Sequence, residues 1–211
     1  ARLRGVEVRA GLDDLDGVDV VVRSLVDYRT AEVADLSGET ARAHAAGAVT
    51  VWDLSHAAGV LDLDLPAAGV ELAVGCTYKF LNGGPGAPAF VFVSRGVQER
   101  VTQPIWGWFA QSDQFAMERP FDPRPGVGRM LNGTPPVLGL TAAREGIGVT
   151  VEAGIARIAS KARELTGFCI DLADELGLAT DTPRNPLRRG GHVAIRHPDA
   201  RDLQQALADR K

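Results

Sequence analysis

The stretch VELAVGCTYKFLNGGPGAPAFVFV, Val70 to Val93, sets two apolar runs around a lysine and a glycine-rich turn. Val70 to Cys76 and Ala89 to Ser94 read as strands, and Lys79 falls just past the carboxyl end of the first. A lysine there is either a solvated loop residue or an amine held in a pocket. In a pocket, burial and neighbouring groups make it a nucleophile toward carbonyls. A phosphate loop of the GxxxxGK type is excluded, because Lys79 precedes the glycines.

Upstream, Asp19 to Val26 (DVVVRSLV) and Ala48 to Leu54 (AVTVWDL) read as further strands. Between them Ser37 to Ala46 has helix-forming composition, with Ser37 as its cap and Gly47 as its stop. Strand, helix and strand at this spacing predict right-handed crossovers, a mostly parallel sheet and an α/β fold. The direction of the strand pair around Gly83 to Pro88 stays open. In open α/β sheets ligands bind beyond the carboxyl ends of the strands. That places Ser24, Asp53 and the Tyr78-Lys79 pair along one edge. Asp53 is either a site carboxylate or the cap of a helix beginning LSHAAG, and His56 either a site residue or a structural one.

From Pro136 onward apolar residues recur at three- and four-residue steps, most clearly over Val151 to Leu176, which predicts a long helix ending at Gly177. A loop rich in Pro and Arg, TPRNPLRRGG, then leads to a strand, HVAIRH, and a last helix over Ala200 to Arg210.

The bulk properties exclude several function classes. A net charge of −4 with scattered basic residues gives no nucleic-acid footprint. Apolar runs such as AFVFV are too short to span a bilayer, and ARLRGVEVRA carries charges where a leader needs an apolar core. The two cysteines, Cys76 and Cys169, have no metal-ligand spacing. They read as buried thiols of a reducing compartment, so the expectation is a cytoplasmic protein without a metal. The missing initial Met and the abrupt end at ALADRK suggest a chain incomplete at both ends.

WDLSHAAG followed by GCTYKFLNGGPGAPAFVFV resembles the kynureninases, fold-type-I pyridoxal-phosphate enzymes related to the class V aminotransferases. The likeness extends to RSLVDYRTAEV (Arg23 to Val33), QPIWGWF (Gln103 to Phe109) and LNGTPPVLGL (Leu131 to Leu140). It implies hydrolysis of L-kynurenine, and of its 3-hydroxy form, to anthranilate and L-alanine in tryptophan catabolism, by a homodimer with shared active sites. Lys79 would be the Schiff-base lysine and proton carrier, with Tyr78 as a second proton-transfer group. Asp53 would pair with the pyridine nitrogen, His56 would share that shell, and Tyr78 and Ser24 would bind near the phosphate. Trp108 and Thr134 would reach the cofactor of the neighbouring subunit, and the glycines would leave room for cofactor and partner.

The chain then divides into residues 1–135, part of the cofactor-binding large domain, 136–177, a helical connection, and 178–211, the start of a small C-terminal α/β domain. Asp27, Trp106, Ala110 and Gln111 depart from the family pattern. The phosphate-cradling loop, the ring-stacking aromatic and the substrate-carboxylate arginine fall outside the 211 residues, so this stretch alone is expected neither to bind the cofactor tightly nor to turn over. The alternatives are a sister enzyme, cysteine desulfurase or aminotransferase, or a non-catalytic dimerisation module.

Overall fold

A computed structural model describes residues 5–115 and 120–210. The first four residues of the opening stretch and the final lysine lie outside the described residues. Four short strands, β1 (Val20–Ser24), β2 (Val49–Asp53), β3 (Leu72–Cys76) and β4 (Ala89–Val93), form one sheet in the order β1-β2-β3-β4. The first three run parallel and β4 returns antiparallel, with Gly75 opposite Phe90 and Cys76 opposite Ala89. The mostly parallel α/β sheet matches the expectation, and the open question of β4's direction is answered.

Helix α1 (Leu36–Ala45) makes the crossover from β1 to β2. Its cap is Asp35, not Ser37: the Asp35 carboxylate accepts from Gly38 N at 3.0 Å, which leaves Ser37 inside the first turn. The helix is tied to the sheet by the buried Trp52, whose indole Nε1 donates to Thr40 Oγ1 at 2.9 Å. Around that indole pack Leu25, Val26, Leu54, Ala57, Val70 and Ala73, the main core. The other face of the sheet is barer: Val20, Val22, Val74 and Val91 are all exposed.

The long helix is two. α2 (Val137–Ala153) ends at Gly154, whose φ of 83° breaks the ladder, and α3 (Ile155–Glu175) restarts from the same glycine. Periodicity alone ran across this break because the apolar spacing continues on both sides. β5 (Ala179–Thr180) and β6 (Ile195–Arg196) pair antiparallel, and α4 (Ala200–Ala208) closes the described chain. Both cysteines are free and only half-buried, short of the buried thiols expected. The LSHAAG segment forms turns and no helix.

Candidate active site

Because β1, β2 and β3 run parallel, their carboxyl ends deliver Ser24, Asp53 and the Tyr78-Lys79 turn to one edge. Ser24 Oγ donates to Asp53 Oδ2 at 3.2 Å, and Ser55 N donates to Asp53 Oδ1 at 2.8 Å. Burial opposes ionisation of Asp53, but the Ser55 and Ser24 hydrogen bonds and the Lys79 charge together outweigh it. The carboxyl is held below its ordinary pKa and is a carboxylate at neutral pH.

Lys79 Nζ lies 3.0 Å from His56 Nε2, and 5.4 Å from the centre of the Tyr78 ring. His56 is itself held below the ordinary histidine range, first by burial and then by the positive charges of Lys79 and His192, with Asp53 opposing. A neutral imidazole is therefore the partner of the lysine amine. The turns bearing the two residues are pressed together at Gly59 (φ 92°), where a Cβ would lie 2.5 Å from the Phe80 carbonyl oxygen. Only glycine permits that approach, which accounts for the last residue of WDLSHAAG. The lysine turn is closed by Asn82 N donating to Lys79 O at 3.0 Å and Gly83 N to Thr77 O at 2.8 Å.

The glycine-rich loop corrects one expectation. The space beside Gly83 is taken by Ala87 of its own loop and by the Ala143 backbone of α2, so this glycine serves helix packing. Gly84 and Gly86 do face open space.

Trp108 and Thr134 stand apart from this cluster. Trp108 heads a short 3-10 helix and makes edge contacts with Phe109 and Phe115, while Thr134 is exposed ahead of α2. Among the described residues no hydrogen bond or ring contact joins either to Lys79, Asp53 or His56. Their two loops are laced together, by Phe109 N donating to Asn132 O at 3.1 Å and Asn132 Nδ2 to Ile105 O at 2.6 Å.

One member of the cluster was not anticipated. His192, read only as the start of a strand, stacks obliquely on His56 with ring centres 5.5 Å apart. The signal lay in the preceding pair of glycines, which the Pro- and Arg-rich character of the loop obscured. Among the described residues there is no metal-binding group of His, Cys, Asp or Glu, and no helix is long and apolar enough to cross a membrane.

Residues 158–211 match the kynureninase C-terminal domain family. Kynureninase of Pseudomonas fluorescens is 42% identical over 195 residues, which are 90% of this chain and 47% of that protein. Kynureninase of Deinococcus radiodurans is 41% identical over 220 residues, covering 99% of this chain and 54% of the relative. The chain thus spans about half the length of the curated relatives it matches. Among solved structures, a cysteine desulfurase of Thermococcus onnurineus NA1 superposes with a TM-score of 0.78 at 20% identity, over 93% of this chain and 49% of that one. An alanine–glyoxylate aminotransferase of Nostoc sp. gives 0.66 at 20%, over 85% and 46%. At such identities the likeness is one of fold, the fold-type-I α/β architecture. Over the half of its relatives that it spans, this chain is similar in sequence to kynureninases, and its residues 158–211 match their C-terminal domain family.

Proposed function

We propose that this chain carries the lysine-bearing face of a pyridoxal-phosphate-dependent kynureninase, which hydrolyses L-kynurenine or its 3-hydroxy form to anthranilate and L-alanine. The observation that carries the reading is Lys79 Nζ held 3.0 Å from a neutral His56, on the same sheet edge as an ionised Asp53. The donor set fits the cofactor: an amine for its aldehyde, and a carboxylate for its ring nitrogen. When bound, pyridoxal phosphate supplies an electron sink for the bond changes at the substrate α- and β-carbons.

The rest falls to this chain's own residues. Lys79 Nζ takes and returns the substrate α-proton, and His56 Nε2 steadies that amine between transfers. Asp53 keeps a facing ring nitrogen protonated, and the bonds from Ser24 and Ser55 hold the carboxylate in place. Tyr78 supplies a hydroxyl for a second proton transfer or for the phosphate, with Ser24 joining it when its bond to Asp53 is exchanged for one to the ligand. Trp108 and Thr134, carried on their laced loops, extend to the cofactor of a second subunit in a homodimer. Residues 1–135 belong to the large domain, 136–177 connect, and 178–211 open the small domain. The protein works in the cytoplasm, in tryptophan catabolism and toward NAD biosynthesis.

The test gives the full-length protein that carries this chain L-kynurenine and pyridoxal phosphate and follows anthranilate fluorescence. Anthranilate release that disappears in Lys79→Ala supports the proposal. Sulfide released from cysteine, or an amino group moved to an oxo-acid, without anthranilate would favour a sister enzyme. The relatives named above favour kynureninase, because sequence identity doubles from the solved desulfurase to the kynureninases.

A further inference from the structure

The five residues from Arg188 to His192 form a strap over the site turns, and most contacts of the first four reach much earlier segments. Val33 N donates to Arg188 O at 2.9 Å, and the Arg188 side chain pairs with Glu32 at 2.6 Å. Glu32 and Arg189 form an antiparallel bridge, and Gly190 N donates to Ala31 O at 2.7 Å. The buried Arg189 guanidinium anchors the strap to α3, donating to Thr166 Oγ1 at 2.8 Å and Arg163 O at 2.9 Å.

The two glycines let the strap pass where no side chain fits. A Cβ on Gly190 would lie 2.8 Å from Val26 Cγ1, and one on Gly191 would lie 2.7 Å from Val60 Cγ2 and 3.0 Å from the Phe80 ring. Val60 and Phe80 follow His56 and Lys79 closely in sequence, so the strap wedges against both site turns. What it delivers is His192. The His192 Nε2 lies 3.2 Å from the Tyr28 carbonyl oxygen, which can only accept, so Nε2 is the donor. The ring lies against His56, whose Nε2 meets Lys79.

We propose that His192 is a further residue of the site, a positioning residue that holds His56 against Lys79 and ties the C-terminal segment to the reactive amine. The proposal deepens the reading of Lys79 given above and rests on it for its catalytic consequence. The titratable groups facing His56 are Lys79 on the following turn, Asp53 at the end of β2 and His192 on the strap. Removing the His192 ring nitrogens takes away one positive neighbour and one wall of the imidazole.

The experiment titrates the imidazole NMR signals of the chain's four histidines in the parent protein, in His192→Phe and in His192→Gln. The expected result is an upward shift of the His56 midpoint by a few tenths of a pH unit in both variants, with His44 and His197 unmoved. Phe keeps the bulk of the ring, and Gln keeps a donor for Tyr28 O, so a folding failure in one leaves the other to decide. In kinetics of the full-length protein, His192→Phe lowers kcat about tenfold and leaves KM within about threefold, on the scale of a misplaced proton-transfer group. Gln recovers part of the loss, and the acid limb of the pH profile follows the His56 midpoint. A folded variant with an unmoved His56 midpoint overturns the proposal. A moved midpoint, with no anthranilate released by the full-length parent protein, leaves the contact standing and overturns the kynureninase reading instead.

Discussion

Lys79 and Asp27 put the division between chemistry and folding into single side chains. Among the described residues the Lys79 amine has one hydrogen-bond partner, His56, and it stays available to a ligand. Substitution by Ala is expected to cost anthranilate formation at least about a thousandfold, the scale of a lost proton carrier. It should leave the denaturation midpoint nearly unchanged, which thermal unfolding beside the kinetic assay checks. Asp27, flagged as a departure from the family pattern, has the opposite profile. Its Oδ1 accepts from Thr30 N at 2.9 Å and from Arg29 N at 2.8 Å, shaping the loop on which the strap docks. Those bonds hold its pKa below the ordinary carboxylate range, despite some opposing burial. The folded state therefore binds the proton less readily than the unfolded chain. The stabilisation is complete above the ordinary carboxylate pKa of about 4 and disappears as pH falls through the lowered value. Asp27→Ala should cost about 1 kcal/mol at pH 7, as for a lost cap. The gap to the parent protein should narrow near pH 3 in chemical denaturation.

At the scale of elements, a buried hydrogen bond from Trp52 to Thr40 joins α1 to the sheet, beside the exposed Arg23–Glu39 pair and the packing of Ala43 on Val21. Trp52→Phe keeps most of the packing but leaves Thr40 Oγ1 buried without its donor, so a loss of about 1–3 kcal/mol is expected in urea unfolding. Adding Thr40→Val should return part of it, because the orphaned hydroxyl goes too. The strands themselves were legible, since β-branched runs such as VVVRS and VTVWD admit few other readings. Their carboxyl ends followed from the parallel topology, and Ser24, Asp53 and Lys79 fell on one edge for that reason. The break at Gly154 was not legible, because a glycine inside a continuing apolar period is tolerated in many helices. Nor was the cap at Asp35, where two polar candidates stood two residues apart and only geometry separates them. His192 escaped for a third reason. Its contact with His56 is long-range, and the glycine pair before it marks a close passage without naming what it passes.

For the whole molecule, the two faces of the sheet are unequal. One is sealed by α1 and the Trp52 core; the other, which ends in Ser24 and Asp53, shows Val22 at 72% exposure beside Val20, Val74 and Val91. Strands rich in valine on both faces are those of a sheet covered on both sides. Val22→Thr should leave the stability of this 211-residue chain within about 0.5 kcal/mol. It should also reduce binding of a hydrophobic dye and light scattering on concentration. A larger stability loss would mean that the face is buried in solution by a second copy. The strap, finally, bears on the order of events during synthesis. Tyr28 and His192 are 164 residues apart, and Glu32 and Arg188 156. At about 5–20 residues per second, roughly 10–30 s separate the translation of the Tyr28 loop from that of the residue it will bind. Throughout that interval the nascent sheet can form while the lysine turn lacks its last wall. The strap thus leaves the reaction centre incomplete until about 160 residues after the Tyr28 loop has been made.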